Sequence, residues 1–187
     1  LQDPRRRADA LFKAGDAYYR AEKFEDAEKR YRAFATDFPE QENVPNALYQ
    51  LGLSLARSGR RADALEIFTG LEAEHAGNPF AEKAALRAAD VLLADAQWEE
   101  ALAKFVQIGQ TYTNSAAAAH SEHQRGLVLY RLGRYEEAQA AFENVLAEHA
   151  DSEFAPQASY LRVFCLYLRG ETEEALQTCQ AFVEQYP

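Results

Sequence analysis

The apolar and polar positions of this chain follow a pattern that returns every 37 residues. Its clearest form is the stretch RYEEAQAAF at 134–142, in which polar residues lead into an alanine and an aromatic residue follows four positions later. The pattern occurs five times, and its central alanines keep strict register: Ala27, Ala64, Ala101, Ala138 and Ala175. A fixed period in this range is the signature of a repeat protein.

Each period contains two stretches in which apolar residues have helical spacing. In the first period this spacing predicts a helix from Asp9 to about Ala21. A second helix is predicted from about Phe24 to Phe38, and Pro39 ends it because proline cannot continue a helix. Each repeat is therefore predicted to be an αα-hairpin. The five repeats cover approximately 8–39, 45–76, 82–113, 119–150 and 156–187.

The first helices share one position that is usually small. Its occupants are Gly15, Gly52, Ala89, Gly126 and Val163. We expect this row to face the alanine row of the second helices, so that the two helices approach closely and a larger residue would overpack the contact. Val163 departs from the pattern, and we expect the fifth hairpin to be splayed or differently packed.

The connections between hairpins also align. Asn78, Ser115 and Ser152 fall at one position and are residue types suited to an N-cap of the following helix. His75 and His149 align with aromatic residues at the ends of the second helices. We therefore expect the two histidines to pack at a helix C-terminus rather than to bind a ligand.

Composition supports a single helical array over 1–187. Helix-favouring residues are abundant, and the 187 residues include only 9 glycines and 6 prolines. The net charge of −10 argues against a nucleic-acid partner, since phosphate binding requires a basic surface. No apolar run reaches the length of a membrane-spanning helix.

The chain resembles the tetratricopeptide repeat (TPR) family along essentially its whole length. The resemblance rests on Gly52 followed by Leu55, on Ala64 followed by Phe68, and on the equivalent positions of other repeats. The period differs from the commonest TPR period of about 34 residues. The resemblance implies an all-α fold, a right-handed α-solenoid of five TPR-like hairpins whose first helices line a concave groove.

The longer connections resemble those of bacterial cell-envelope TPR proteins, of the Tol-Pal coordinator and outer-membrane β-barrel assembly lipoprotein types. This resemblance implies a role in envelope assembly or maintenance, and it favours a periplasmic or envelope-associated location over a cytoplasmic one. The chain begins at Leu1 and contains no methionine. We therefore expect it to be a piece of a longer protein.

The family resemblance also assigns partner-facing positions to the first helices. These positions combine aromatic residues with arginines, which are both common at interface hot spots. The predicted partner-binding residues are Phe12, Asp16, Tyr19, Arg20, Tyr49, Arg57, Asp90, His123, Tyr130, Arg131, Tyr160, Phe164 and Tyr167. The alternative is that some aromatics pack between repeats and that the arginines are ordinary solvated charges. The two rows beside the small residues hold no lysine or asparagine, so the carboxylate clamp of co-chaperone TPR domains is not expected.

Candidate chemistry is sparse. His120 and His123 lie three residues apart and could share a metal, but no third ligand is indicated by local spacing, so a polar groove patch is favoured. Cys165 and Cys179 fall on the two helices of one hairpin, and two buried free thiols are favoured over a bridge. No phosphate-binding loop, dinucleotide fingerprint or nucleophile motif occurs, so we expect neither catalysis nor a cofactor.

These observations predict a non-enzymatic protein–protein interaction scaffold that holds a peptide or partner segment in its groove. One alternative is a self-assembling structural module, and another is the non-catalytic solenoid of a larger enzyme. The last helix should expose Cys179, Phe182 and Tyr186. We therefore expect the protein to continue beyond Pro187 or this end to contact another chain.

Overall fold

The computed structural model describes residues 4–113 and 115–186, and within them the chain forms ten α-helices and no β-strand. The helices are α1 (Pro4–Arg20), α2 (Phe24–Asp37), α3 (Val44–Arg57), α4 (Arg61–Glu74), α5 (Pro79–Ala94), α6 (Trp98–Thr111), α7 (Ala116–Arg131), α8 (Tyr135–Glu148), α9 (Ala155–Leu168) and α10 (Thr172–Gln185). The all-α prediction is confirmed. None of the described helices is long and apolar enough to cross a membrane.

The helices belong to two compact units, Leu1–Gln97 and Trp98–Pro187. In the first unit, α1 packs on α2 and α3 packs on α4, while α2 and α4 each also pack on the helix that follows them. In the second unit, α7 packs on α8 and α9 on α10, with α6 against α7 and α8 against α9. The division falls between α5 and α6, inside the third predicted repeat, and one continuous array over 1–187 stays a prediction.

The predicted bounds of the first two helices agree with the structure to within one residue, except at the start of α1. The helix α2 ends at Asp37, and the backbone N–H of its C-cap residue Phe38 donates to Phe34. His75 and His149 take the same C-cap position on α4 and α8, which confirms their assignment to helix C-termini. The start of α1, in contrast, lies at Pro4, because proline is favoured in a first helical turn.

Two of the three predicted N-caps are confirmed. The Asn78 side chain accepts a 2.9 Å hydrogen bond from the backbone of Phe80, and Ser115 accepts one of 3.1 Å from Ala117. The prediction for Ser152 is wrong, because α9 begins only at Ala155 and has a proline in its first turn. The hydroxyl of Ser152 is buried and has no hydrogen-bond partner among the described residues.

Gly15, Gly52 and Gly126 of the first helices lie directly beside aromatic rings of the second helices, and the contact with the alanine row stays a prediction. A Cβ atom added to Gly15 would lie 2.6 Å from Cε1 of Tyr31, and one added to Gly126 would lie 2.5 Å from Cε1 of Phe142. In the first, second and fourth hairpins, the ring four residues after the central alanine reaches across the hairpin and occupies the space beside the glycine. Tyr31 and Phe142 are almost completely buried there.

The turn inside each hairpin requires a left-handed backbone. Gly133 follows α7 with φ +74°, a conformation that glycine adopts without steric cost. Ala96 takes the same position after α5 with φ +56° and carries a side chain in that conformation. Side chains with a Cβ atom disfavour this region, so the third turn is strained relative to the fourth.

Candidate partner-binding surface

The predicted partner-binding residues of the first unit fall into two classes, those that serve the core and those that face solvent. Phe12 packs edge-on against Tyr31 and Phe34, with ring centroids 5.7 and 5.5 Å apart. The carboxylate of Asp16 accepts a 2.6 Å hydrogen bond from the hydroxyl of Tyr31. Burial and this hydrogen bond raise the pKa of Tyr31. Phe12 and Asp16 therefore make contacts inside the first hairpin.

Tyr49 and Asp90 are joined through an arginine. Tyr49 is buried between Phe68 and Phe80, with ring centroids 6.1 and 5.7 Å away. Its hydroxyl accepts a 3.3 Å hydrogen bond from Nε of Arg87, and Nη1 of Arg87 donates to Asp90 at 2.8 Å. This chain of contacts ties α3 to α5 and leaves Tyr49 with little surface for a partner.

Tyr19, Arg20 and Arg57 form the accessible part of the first unit's set. The ring of Tyr19 meets Phe24 edge-on at 5.4 Å, and the guanidinium of Arg57 lies 5.3 Å from the centroid of the same Phe24 ring. Arg20 and Arg57 are exposed, and Tyr19 is half-buried. We call Tyr19, Arg20, Phe24 and Arg57 the first-unit patch. It offers an aromatic surface beside the cation of Arg57 and carries a second exposed cation, Arg20, which suits carboxylates and aromatic groups.

In the second unit, His123 is a core residue. It is only 3% exposed, stacks on Phe154 at 5.2 Å and lies 6.1 Å from Phe142. Both of its ring nitrogens lack a hydrogen-bond partner among the described residues. Burial lowers the pKa of His123, and the neighbouring His120 lowers it further, so the imidazole is neutral at pH 7. Buried in this way, its nitrogens do not reach a partner at the surface.

Metal ligation finds no support in the geometry of the described residues. Within 4–113 and 115–186, no three histidine, cysteine, aspartate or glutamate side chains are grouped so that they could hold a metal ion. Cys165 is buried as predicted, and burial raises the pKa of its thiol to about 11. Cys179 is a free, exposed thiol, which confirms the prediction that the last helix exposes it, and the prediction of two buried thiols is wrong for Cys179.

The most exposed aromatic surface lies on α9. Tyr160, Phe164 and Tyr167 follow one another at helical spacing, and Tyr160 and Tyr167 are 48% and 64% exposed. The rings of Tyr160 and Phe164 are in contact, with centroids 4.8 Å apart. We call these three residues the α9 aromatic stripe. The two remaining predicted residues lie on α7, where Tyr130 packs edge-on against Tyr135 and Arg131 is exposed.

Sequence reasoning missed a cleft beside this stripe. It measures about 380 Å³, lies between α9 and α10, and is lined by Val163, Phe164, Tyr167, Thr172, Ala175, Leu176 and Cys179. The sequence contains one sign of this cleft. In the fifth repeat, Val163 replaces the glycine and Cys179 replaces the aromatic residue that the first, second and fourth repeats have. Val163 alone predicts only that the fifth hairpin packs differently. Because Cys179 also replaces a large ring, the space beside Val163 is left open as an apolar cleft.

Comparison with known proteins agrees with this architecture. A sequence model described as tetratricopeptide repeat matches residues 12–79 and 123–187. No curated protein sequence matches the chain. A TPR protein of Parabacteroides merdae ATCC 43184 is similar in structure, with a TM-score of 0.73 and 18% identity over 97% of this chain and 68% of that one. The structure of MamA from residue 41 onward, from Desulfovibrio magneticus RS-1, is also similar. Its TM-score is 0.66, with 19% identity over 95% of this chain and 94% of that one. These matches confirm the predicted fold class.

Proposed function

Because this chain belongs to the tetratricopeptide repeat family, we propose that it is a non-catalytic scaffold that binds a peptide or an extended segment of a partner protein on its first helices. The family supplies protein–protein interaction modules and generally lacks catalytic activity. The proposal assigns binding to the exposed members of the predicted set, because Tyr49 and His123 are buried.

The observation that carries this proposal is the exposure of the α9 aromatic stripe. Large aromatic side chains gain free energy when they leave water, and a contiguous exposed group of them is typical of an interaction site. Tyrosine also offers a hydroxyl that can pair with a peptide backbone. The stripe therefore has the chemistry of an interface anchor, and a solvated helix face does not require it.

The first-unit patch supports the same function with different chemistry. Arg57 presents its guanidinium group over the ring of Phe24, which meets Tyr19 edge-on, and Arg20 is exposed one residue after Tyr19. Arginine donates paired hydrogen bonds to carboxylates, and it does so more specifically than lysine. We infer that this patch contacts acidic or aromatic groups of the partner.

The test is affinity capture of partners from a lysate of the source organism, compared between matched variants. Tyr160→Ala/Tyr167→Ala removes exposed aromatic surface from the α9 aromatic stripe. Val106→Ala/Leu132→Ala removes exposed apolar surface elsewhere in the same unit, where both residues are 39% exposed. We expect the first variant to lose the captured partner and the second to keep it, with unchanged helical circular dichroism in both. Equal capture by both variants would place binding outside the stripe.

The site of action that we propose is the bacterial cell envelope. This proposal rests on the resemblance of the connections between hairpins to those of envelope TPR proteins. Fractionation of source cells into periplasm, membranes and cytoplasm, followed by immunoblotting, tests it directly. Recovery of the protein in the cytoplasmic fraction alone would contradict it.

Self-association is a second candidate function, and exposed apolar residues of α10 favour it. Val183 is 62% exposed on this helix. Sedimentation equilibrium across a range of protein concentrations measures association. We expect Val183→Glu to abolish any association that wild type displays, while Val106→Glu leaves it unchanged. A wild-type protein that stays monomeric at all concentrations rules this candidate out.

A further inference from the structure

The fifth hairpin lacks two aromatic rings that the first and fourth hairpins have. In the fourth hairpin, Phe142 lies over Gly126, and the equivalent pair in the fifth is Cys179 and Val163. The ring that begins the second helix is also missing, because Thr172 stands at that position. The rings it replaces are Phe24 in the first hairpin and Tyr135 in the fourth.

The missing rings explain both the cleft and the exposure of Tyr167. Tyr130 makes an edge-on contact with Tyr135 at 5.6 Å, whereas the equivalent residue Tyr167 has Thr172 in place of that ring and is 64% exposed. Val163, Thr172 and Cys179 all line the cleft. The cleft therefore lies where other hairpins place aromatic side chains of their own.

The charges at the start of α10 also differ from those of the second and fourth hairpins. Arg134 pairs with Glu137 of its own helix at 2.7 Å and with Glu99 at 2.9 Å. Arg60 makes the equivalent pairs with Asp63 and Glu28, at 2.6 and 2.8 Å.

In the fifth hairpin, Glu171 stands where those arginines stand. Glu171 pairs with Arg169 at 2.8 Å. The helix α10 contains Glu173, Glu174 and Glu184 and no basic residue. Glu173 and Glu174 are exposed and follow Thr172, the cleft-lining residue that begins α10, but they do not line the cleft themselves. The first turn of α10 therefore places negative charge near the cleft without the arginine that precedes it in the second and fourth hairpins.

We propose that the cleft between α9 and α10 is a pocket for one aromatic side chain of a peptide partner that carries lysine or arginine next to it. The aromatic side chain replaces the ring that the fifth hairpin lacks, and the negative charge of Glu173 and Glu174 in the first turn of α10 attracts the basic residue. The proposal deepens the function proposed above and rests on it. A buried aromatic anchor with a charged residue at the rim is the arrangement of interface hot spots.

The key variant restores the hairpin's own ring. Val163→Gly/Cys179→Phe recreates the pair formed by Gly126 and Phe142, so that the new ring fills the cleft from within; we call it the filled variant. We expect its thermal unfolding temperature to equal or exceed that of wild type, because buried aromatic area is gained. Loss of binding in a protein that is not less stable would be specific to the cleft.

The charge is tested separately. Glu173→Gln/Glu174→Gln removes two carboxylates from the first turn of α10 and keeps the shape of their side chains. Glu25→Gln/Glu66→Gln removes two exposed carboxylates from the first unit and is the matched control. Both variants change the net charge equally. A difference in peptide affinity between them therefore reflects where the carboxylates lie and not the overall charge.

The experiment selects random linear peptides displayed on phage against the full chain, and then measures each enriched peptide by fluorescence anisotropy. We expect enriched peptides to contain phenylalanine, tyrosine or tryptophan next to lysine or arginine. Their dissociation constants should rise by about tenfold or more for the filled variant. The Glu173→Gln/Glu174→Gln variant should bind them more weakly than its control does. A bound peptide should also slow alkylation of Cys179 by N-ethylmaleimide.

The remaining outcomes separate failure of the pocket from failure of the proposed function. Peptides that bind the filled variant as well as wild type would overturn the pocket, and so would enriched peptides without an aromatic residue or with acidic neighbours. If those peptides instead fail to bind Tyr19→Ala/Arg57→Ala, the proposed function stands and the cleft assignment fails. If no peptide is enriched above uncoated beads, the pocket and the proposed peptide-binding function both fail.

Discussion

The hydroxyl of Tyr31 donates a 2.6 Å hydrogen bond to the carboxylate of Asp16 and thereby connects the two helices of the first hairpin. We expect Tyr31→Phe to lower the free energy of unfolding by about 0.5–1.5 kcal/mol, the usual net contribution of one hydrogen bond. Asp16→Ala should cost more, about 1–3 kcal/mol, because it leaves a buried hydroxyl without a partner. Urea denaturation of the two single variants and the double variant measures both the costs and the coupling.

If Asp16 acts only at a partner surface, Asp16→Ala would leave the urea midpoint unchanged and the cycle would show no coupling with Tyr31. That result would return Asp16 to the set of partner-binding residues. Additive losses of stability in the double variant would also return Asp16 to that set. Two residues joined by a hydrogen bond are expected to have non-additive effects on stability.

Replacing glycine by alanine should have opposite effects at two helical positions. Gly126→Ala places a methyl group against the Phe142 ring, and we expect a loss of about 1–3 kcal/mol from overpacking. Gly70, inside α4, has nothing within 4 Å of an added Cβ. Gly70→Ala should stabilise the protein by about 0.5–1 kcal/mol, because alanine loses less backbone entropy on folding. Thermal unfolding followed by circular dichroism distinguishes the two signs, and destabilisation by both changes would be inconsistent with the packing described.

The turns inside the hairpins provide a second pair of opposite effects. Ala96→Gly relieves a left-handed backbone at φ +56°, and we expect stabilisation by up to about 1 kcal/mol. Gly133→Ala imposes the same strain at φ +74° and should destabilise by about 1 kcal/mol. Urea midpoints at constant pH test both changes. A loss of stability in Ala96→Gly would argue that the turn is held by other contacts.

The burial of His123 should make stability depend on pH. Its folded-state pKa lies below the ordinary value of about 6.5, so the unfolded chain binds the proton more tightly than the folded chain does. The stability that His123 contributes is therefore full above about 6.5 and is lost progressively as pH falls through that value towards the lower folded-state pKa. We expect His123→Phe, which keeps an aromatic ring against Phe154, to reduce this pH dependence.

Denaturant unfolding at several pH values, with His75→Phe as the control, measures the contribution of His123. His75 is a half-buried C-cap residue, and its replacement should leave the slope of stability against pH close to that of wild type. An unchanged slope in His123→Phe would show that other groups cause the acid dependence.

Much of the fold follows from the 37-residue register, because a strict period places equivalent residues at equivalent positions of every hairpin. The register places Ala27 and its equivalents in helices and predicts the helix ends near Asp37 and His75. It does not reveal which side chain faces Gly126, because the direction in which Phe142 reaches depends on three-dimensional packing. Ser152 has a suitable residue type for an N-cap, yet Pro156 moves the start of its helix.

The partner-binding surface was harder to predict than the helices, because it depends on how deeply each side chain is buried. Family positions identify the faces of helices but not the depth at which each side chain lies, so Tyr49 and His123 were grouped with exposed residues such as Tyr167. The cleft beside α10 arises from two replacements sixteen positions apart, at Val163 and Cys179. Either change alone resembles ordinary variation. Only the structure shows that both residues line one cleft.

The ion pair between Arg134 and Glu99 spans only 35 residues, and each helix named in the packing of the two units contacts close neighbours in the chain. Contacts that are local in sequence require little loop closure, which favours rapid folding. Each hairpin can therefore form soon after its second helix leaves the ribosome, before the next repeat is synthesised. The same locality lets the chain lose or gain repeats during evolution without rebuilding a distant core.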